Sequence, residues 1–388
     1  MPHSNAIDIA AGLLSQSTAP LLEGFPSKWI TSFAQERGLN SYQDGAGNVV
    51  VTNLKSAAID PGSSQLVLVA HLDHPGFVFE GDARVTTKEL TPLAFRGGLQ
   101  ASYALAGSPL SLFHQDQTDP IGAAVLAAAT GDEHGRLSGA SVEITEGEIL
   151  PGCFAMWDFP ELGPSRVLID NHSIRARACD DLLGAAAILA CLDSVAQSNA
   201  GDISVCGLFT RAEEVGFFGT LEAIRLGTVP TNSVVISLEC SKALSSAQQG
   251  DGVIVRVGDR MTVFDPRLTQ ALRVAADQMV TSSKDEGFRY QRKLMDGGAC
   301  EASAFCATGY QASGLALPLG NYHNANDDGP GLAAEHVMIS DYLAEVALLT
   351  NIALDPSFID LATRGAPPAW LDDRMTKAQE ALSGGNNA

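Results

Sequence analysis

Four apolar segments of this 388-residue chain end in ionisable residues, and this pattern restricts the fold more than any other feature. The first, SQLVLVAHLD, is apolar almost to its end, which is typical of a strand buried on both faces of a helix-covered sheet. In open sheets of this kind, sites form outside the carboxyl ends of the strands. We therefore expect the polar ends of the four segments to lie together. The segments are residues 64–73, 203–214, 233–240 and 311–323.

Segments with helical spacing of apolar residues alternate with these strands. The alternation predicts an α/β fold, with a mostly parallel sheet covered by helices. One further strand is predicted over 48–53, after the turn-rich sequence DGAG. The predicted helices are 6–16, 25–38, 181–198, 217–226, 266–280 and 331–354.

Residues 81–170 break this alternation. Short β-like pieces such as ASVEITEGE are separated there by Gly, Pro and Asp, and no helix of useful length is indicated. The chain also exceeds the roughly 100–200 residues of a usual domain, so two units are expected. We predict a catalytic domain in two parts, 1–80 and 171–388, interrupted by a β-rich insert at 81–170. The polar tail, 383–388, is predicted to be unordered.

Composition excludes several classes of function. The formal net charge is −21 without a cluster of Lys or Arg, so nucleic acid would be repelled across most of the surface. No apolar run approaches the roughly 20 residues of a membrane span, and the start of the chain lacks the pattern of a secretory signal. The seven cysteines never show CxxC spacing, which indicates reduced thiols. We expect a soluble, cytoplasmic protein that binds neither nucleic acid nor membranes.

His71 and Asp73 stand at the end of the first apolar segment. Residues two apart on a strand point to the same face, so Asp73 can sit beside His71 and hold its second ring nitrogen. Histidine and carboxylate groups bind divalent metals such as Zn²⁺. Because a His-x-Asp sequence is also an ordinary polar strand end, this pair alone decides nothing.

Two pairs of adjacent carboxylates follow along the chain. Asp180 and Asp181 begin a predicted helix, whose free N–H groups favour carboxylates even without a metal. The small apolar residues after them indicate tight packing on the sheet, which leaves Asp180 at the rim, where a carboxylate can bridge two ions.

Glu213 and Glu214 close another apolar segment, and their charges repel unless a cation or a shared proton intervenes. One of them can bind metal while the other accepts a proton from water; the alternative is a solvated acidic pair on a loop.

Glu239 and His323 complete the candidate set. Glu239 ends the apolar strand VVISLE, where a buried carboxylate is costly unless it is paired or bound to a metal. His323 follows another apolar stretch and, by itself, resembles an ordinary core or surface histidine. Taken together, ionisable residues at four strand ends and one helix start predict a two-metal site, with ions roughly 3.5–4 Å apart.

Seven motifs, in order along the chain, resemble those of the TET-type metalloaminopeptidases (metallopeptidase family forty-two), which are related to glutamyl and deblocking aminopeptidases. The resemblance extends over residues 6–354. Four positions depart from the family's usual residues: His74 replaces a frequent Glu, Leu182 a usual Arg, and Glu239 and Glu301 a common Asp. The motifs are DGAGN (44–48), AHLDHPGF (70–77), CDDLLG (179–184), RAEEVGFFG (211–219), SLEC (237–240), GG-x-x-E (297–301) and YHN (322–324).

The resemblance implies a split catalytic domain with a β-barrel-like insert, and two divalent ions per chain. Zn²⁺ is the expected ion, and Co²⁺ suits the same ligands. The implied roles are His71 and Glu239 on one metal, Glu214 and His323 on the other, Asp180 bridging, Glu213 as general base and Asp73 orienting His71.

The implied activity is removal of N-terminal residues from peptides, and the implied assembly is a homo-oligomer, a dodecamer by resemblance. We expect the insert to form part of the interface, because its apolar stretch at 122–130 and exposed strand edges would need covering. A carboxypeptidase or an amide deacylase is the alternative, since the same metal ligands serve if the pocket binds a carboxylate of the substrate instead of its amine. Glycoside hydrolysis is disfavoured because it needs two working carboxylates and no histidine ligands. A non-catalytic binding homologue is disfavoured because no ligand position is missing.

Overall fold

The structure is a computed structural model that describes residues 2–53, 65–86, 90–198, 205–282, 287–365 and 369–383. The helices are α1 (Pro2–Leu14), α2 (Gly24–Glu36), α3 (Cys179–Gln197), α4 (Phe218–Leu226), α5 (Pro266–Ser282), α6 (Glu301–Ala307), α7 (Ile339–Leu354), α8 (Phe358–Arg364) and α9 (Ala369–Ser383). The strands are β1 (Asn40–Gln43), β2 (Val49–Thr52), β3 (Leu66–His71), β4 (Gly76–Val78), β5 (Val85–Thr86), β6 (Leu90–Arg96), β7 (Pro109–His114), β8 (Gln117–Gly131), β9 (Leu137–Ile149), β10 (Cys153–Trp157), β11 (Val167–Ile169), β12 (Ser173–Ala176), β13 (Val205–Thr210), β14 (Val234–Ser237), β15 (Cys240–Lys242), β16 (Val253–Asp259), β17 (Tyr290–Met295), β18 (Gln311–Leu319) and β19 (Glu335–Met338).

The main sheet has the strand order β1-β2-β13-β3-β14-β18-β16-β17, with β15 also paired to β18. Its centre is parallel, because β13, β3, β14 and β18 all run in one direction. The flanking strands β2 and β16 run antiparallel to their central neighbours. The four central strands are the four apolar segments of the sequence, and the predicted mostly parallel sheet is confirmed.

Side chains of β3 point alternately to the two faces of this sheet and enter two separate cores. Leu66 and Leu68 pack in the core that contains α3, whereas Val67 and Val69 pack in the core that includes residues of α4 and α6. Helices therefore cover both faces, as predicted. The first turns of α3 beyond its acidic start are built from small residues (GAAA, 184–187), which allow this buried helix to lie close to the strands.

The inserted segment closes into a barrel. Strands β9-β6-β4-β10-β7-β8 are neighbours in that order, β8 pairs back to β9, and β5 adds to the outside of β9. The barrel has its own apolar core, which includes Phe77, Leu112, Val142 and Trp157. The expected β-barrel-like insert is confirmed.

The apolar stretch 122–130 lies in β8, which pairs with β7 on one side and β9 on the other. Both edges are covered by strands only over Gly122–Val125, so the expectation that a partner covers the rest stays a prediction. The barrel strands run from Gly76 to Trp157, whereas the predicted insert is 81–170. Strands β11 and β12 form a small sheet with β19 instead. The division of the chain at 81 and 170 stays a prediction.

The predicted helix over 331–354 is wrong in its first part. Residues Glu335–Met338 form strand β19, and helix α7 begins only at Ile339. Pro330 and Gly331 disfavour a helix before this point, and the backbone groups of β19 pair with β12. The apolar spacing that suggested one helix continues through this strand into α7, so periodicity alone does not separate the two.

Among the described residues, no single helix is long and apolar enough to cross a membrane. Helices α7 and α8 reach such a length and composition only as a pair, which is bent by 89°. Residues 384–388 of the predicted unordered tail, and residues 64, 203 and 204 of two predicted strands, lie outside the described part of the chain.

Candidate active site

The predicted site residues meet at one edge of the main sheet. His71 is the last residue of β3, Glu213 and Glu214 follow β13, and Glu239 follows β14. These strands are parallel neighbours, so their carboxyl ends necessarily lie side by side. The other two members are His323, in a short turn after β18, and Asp180, at the start of α3.

Asp180 stands at the centre of two groups of metal-ligand side chains. Its Oδ1 lies 3.4 Å from His71 Nε2, and its Oδ2 lies 3.5 Å from His323 Nε2. Glu239 Oε2 lies 3.9 Å from His71 Nε2, and Glu214 Oε1 lies 3.0 Å from His323 Nε2. The structure thus brings together two sets of one histidine and two carboxylates that share Asp180.

The tautomers of the two histidines follow from their backbone contacts. His71 Nδ1 lies 3.0 Å from the carbonyl oxygen of Asp73, and His323 Nδ1 contacts the carbonyl oxygen of Gly98. A carbonyl oxygen only accepts hydrogen bonds, so both Nδ1 atoms carry the hydrogen and donate. In a neutral imidazole, each Nε2 then presents a lone pair to the carboxylates.

Lone pairs facing carboxylate oxygens require a cation between them. Oδ1 of Asp180 and the Oε1 atoms of Glu214 and Glu239 are buried without a hydrogen-bond partner among the described residues. Histidine nitrogen and carboxylate oxygen are ligands that Zn²⁺ and similar ions accept. The residues present therefore fit two divalent ions. Two further groups of donors are also close together. One is His71 with Glu213 and Glu214, and the other is Asp180 with Asp181 and Cys240, whose thiol donates to the carbonyl of Cys179.

The pKa shifts of the site residues also indicate that the carboxylates outnumber the positive charges nearby. Burial lowers the pKa of His71, but the nearby carboxylates of Asp180 and Glu213 outweigh burial and raise this pKa well above its usual value. Burial, partly offset by His71, raises the pKa of Glu239 to about 8. Burial likewise raises the pKa of Glu213 well above its usual value. Binding of a divalent ion at these groups would therefore compete with protons.

Comparison with protein families gives a match over residues 152–327, to the family described as M42 glutamyl aminopeptidase. Over this segment, which is a little under half of the chain, the sequence resembles the M42 peptidases. The chain is accordingly a peptidase, and the predicted resemblance is confirmed. The matched segment includes every candidate ligand except His71, together with the candidate base Glu213.

Solved structures share the fold of this chain at low sequence identity. The aminopeptidase of the archaeon Desulfurococcus kamchatkensis is 17% identical, with a TM-score of 0.72 over 95% of this chain and 99% of that one. The TET aminopeptidase of a marine-sediment Thaumarchaeota archaeon is 15% identical, with a TM-score of 0.69 over 93% and 99%. The Pyrococcus horikoshii TET1 peptidase is 16% identical, with a TM-score of 0.67 over 90% and 99%. Comparison with curated proteins gives no significant match.

The contacts of Asp73 differ from the predicted ones. Its backbone carbonyl, not its carboxylate, accepts the hydrogen bond of His71; the carboxylate Oδ1 is 3.7 Å from Nδ1. The carboxylate instead accepts the backbone N–H groups of Glu213 at 2.9 Å and Glu214 at 3.1 Å. Asp73 therefore holds the turn that carries both glutamates, while its own backbone orients His71.

The barrel contributes directly to the site. Gly98, whose carbonyl fixes the ring of His323, lies just after β6 in the inserted segment. A Cβ on Gly98 would lie 3.3 Å from this ring, so the close approach favours glycine. Sequence reasoning missed this contact, because a backbone carbonyl carries no residue-type signal.

Two buried side chains next to Asp180 and His323 were also missed as site residues. The carboxylate of Glu335, at the start of β19, accepts the backbone N–H groups of both Asp180 and His323. The Nδ1 of His74 donates to the carbonyl of Asp180 at 2.7 Å. His74 was noted only as a departure from the family pattern, and Glu335 lay within a predicted helix.

A cavity of about 320 Å³ opens beside Glu239. The guanidinium of Arg256 lines it and is almost fully buried, with 3% of the residue exposed. Its Nε has no hydrogen-bond partner among the described residues, and none of their carboxylates forms an ion pair with it. Burial acts to lower the pKa of Arg256, but Cys300 and Glu239 raise it overall, so the group stays charged. The cavity thus presents an unused positive charge next to the ligand cluster.

Proposed function

We propose that this chain is a two-metal aminopeptidase that removes N-terminal residues from peptides. The observation that carries the proposal is the shared carboxylate of Asp180, whose two oxygens face His71 on one side and His323 on the other. Zn²⁺ is the proposed ion, and Co²⁺ fits the same ligands. Glu214 and Glu239 complete the two sets.

Two divalent ions held there would polarise the scissile carbonyl and make a water molecule acidic at neutral pH. Glu213 is the group placed to accept the proton of that water, because its Oε2 lies 4.0 Å from His71 Nε2 at the edge of the ligand cluster. Burial raises the pKa of this carboxyl above its usual value, as is typical of a general base. Glu213 then delivers the proton to the leaving amine. Asp73 keeps this carboxyl in place through the backbone.

The proposed ions support cleavage at the amino end of the substrate. A free N-terminal amine is a nitrogen ligand that one of the two ions could hold, and N-acetylation removes that ligand. The description of the matched family as aminopeptidases points the same way.

Arg256 supports a preference for an acidic N-terminal residue. A carboxylate side chain entering the cavity would give the Nε of this buried guanidinium an acceptor, which it lacks among the described residues. Lys242, half exposed at the cavity and paired with Asp327 at 3.0 Å, adds a second positive charge at the mouth. We therefore propose glutamyl and aspartyl peptides as the favoured substrates.

The same arginine favours a second candidate function, a carboxypeptidase. A buried guanidinium beside a metal cluster could also bind the terminal carboxylate of a peptide. The two candidates differ in which end of the substrate must be free, so substrates with one blocked end separate them.

We expect glutamyl and aspartyl p-nitroanilides to be hydrolysed with higher kcat/KM than leucyl or lysyl p-nitroanilides. N-acetylation of the glutamyl substrate should abolish hydrolysis. The measurement is initial rate against concentration for the metal-loaded protein. Cleavage of N-acetylated peptides that have a free C-terminus would instead establish the carboxypeptidase.

Arg256→Met tests the acidic preference within the same panel. Loss of a charge-assisted hydrogen bond, about 1.5–3 kcal/mol, should lower the preference for glutamyl over leucyl substrate by roughly 10- to 100-fold. Lys242→Met is the matched control; because this side chain is half exposed, its effect should be smaller. An unchanged preference in Arg256→Met would remove the acidic-substrate proposal and leave the peptidase assignment intact.

We also propose that the chain works as a homo-oligomer. The Pyrococcus horikoshii TET1 peptidase can assemble into a tetrahedron or a large octahedral shell, and a dodecamer has been solved for a protein named PhTET1. Large apolar side chains are exposed on the single chain, including Met261 (66%) and Val263 (79%). The barrel segment 81–170 remains a proposed part of the interface, and a dodecamer is the proposed assembly.

Light scattering at micromolar concentration should give a mass near twelve times that of one chain. The measurement should be repeated over a tenfold dilution, with hydrolysis followed in the same samples. A monomer with full activity would refute the assembly, but it would leave the metal chemistry untouched.

All seven cysteines are free in the structure, and six of them are buried. Free thiols persist in reducing compartments. We therefore propose that the protein is cytoplasmic.

A further inference from the structure

Glu335 is a fully buried glutamate (0% exposed) that joins two distant parts of the site. Its Oε2 accepts the backbone N–H of Asp180 at 3.1 Å. Its Oε1 accepts the backbone N–H of His323 at 2.8 Å. One carboxylate therefore ties together the backbones of two candidate metal ligands that belong to different segments of the chain.

Main-chain pairing holds Glu335 between those two segments. In the register of β19 with β12, Glu335 is opposite Ala176, four residues before Asp180. The next residue, His336, pairs with Gly320, three residues before His323. Strand β19 is thus a common support for both segments, and the side chain of Glu335 extends that support to the ligand residues themselves.

Neither ligand backbone has a regular conformation that would place it without help. His323 has a φ of +54°, in the left-handed region that non-glycine residues rarely adopt. Asp180, at the start of α3, has a ψ of 108° and is not helical. Both N–H groups are buried, so they require an acceptor, and Glu335 supplies both.

We propose that Glu335 is a positioning residue that sets the placement of Asp180 relative to His323, and thereby determines the binding of the ion held by Asp180, Glu214 and His323. The inference rests on the proposed two-metal function. It goes beyond that function because it assigns metal affinity to a residue that contacts no ion.

Glu335→Gln is the decisive variant. Glutamine keeps the shape but has one acceptor oxygen, so its NH₂ group must face one of the two backbone N–H groups, donor against donor. We expect one of the two ions to bind about 10- to 100-fold more weakly, as for other residues that orient metal ligands. The experiment titrates metal-free protein with Co²⁺ against a competing chelator and records the Co²⁺ absorption spectrum, which reports ligand geometry independently of activity.

Glu345→Gln is the matched control. Glu345 is also fully buried, in α7, and neither of its oxygens has a hydrogen-bond partner among the described residues. Its replacement should leave both Co²⁺ affinities and the spectrum unchanged. If Glu335→Gln does not fold, Glu335→Asp serves instead. It keeps two acceptor oxygens on a shorter side chain, and weaker binding of one of the two ions is again expected.

The outcomes separate this inference from the proposed function. Wild-type protein that binds fewer than two ions contradicts the two-metal function itself. Wild-type protein with two ions, together with unchanged affinities and spectrum in Glu335→Gln, overturns the role of Glu335. An equal loss of metal in Glu345→Gln also overturns it, because the effect would then come from any buried glutamate.

Discussion

Dialysis against a chelator is expected to abolish peptide hydrolysis, and Zn²⁺ or Co²⁺ should restore it. Without ions, the side chains of the site cannot generate a strong nucleophile from water at neutral pH. The loss should be complete rather than partial, since both ligand sets share Asp180 and neither is independent of the other. Full activity in protein shown to be metal-free by elemental analysis would contradict the mechanism.

Rebinding of the ions should release protons. In the metal-free protein the carboxylates around His323 raise its pKa well above the usual value against the opposing effect of burial, as they do for His71, so both rings carry an extra proton near neutral pH. An ion must displace these protons from Nε2, and its affinity should therefore rise as pH rises. Calorimetric titration in buffers of different ionisation enthalpy measures the number released. At an ion concentration of 100 Kd, binding should increase the free energy of unfolding by about 2.7 kcal/mol. The restored protein should therefore have a higher melting temperature than the metal-free protein.

The sequence could predict where the site lies because strand ends carry a strong signal. His71, Glu213, Glu214 and Glu239 each follow an apolar strand, and parallel neighbours place such ends together by geometry alone. Helices on both sheet faces and a separate β-rich insert followed from the same periodicity and its interruption.

The remaining parts of the site depend on contacts that residue types do not reveal. The carbonyl of Gly98 orients His323 from within the barrel, and the carbonyl of Asp73 orients His71. Glu335 was hidden because the apolar spacing of its strand continues into α7. Arg256 follows three buried apolar residues of β16, and only the cavity beside it indicates that its charge is available to a ligand.

Variants of Glu213 and Glu214 test directly which residue binds metal and which acts as the general base. Both backbone N–H groups bind the carboxylate of Asp73, so the two residues share one support and differ mainly in where their side chains point. Glu214 Oε1 is 3.0 Å from His323 Nε2, within the second ligand set. Glu213 Oε2 is 4.0 Å from the nearest nitrogen of His71. The proposal assigns Glu214 as a ligand and Glu213 as the base.

Glu213→Gln should lower kcat by at least roughly 10²-fold, about 2.7 kcal/mol of transition-state stabilisation, because an amide cannot accept the proton of the attacking water. Its metal content should stay near two ions per chain. Glu214→Gln is the matched variant on the same turn, and it should lose metal as well as activity, since a neutral amide is a poorer ligand for a divalent ion. Elemental analysis and kcat are measured on the same preparations of both variants. Equal metal loss in the two would show that both glutamates bind ions, and the base would then have to be sought elsewhere in the cluster.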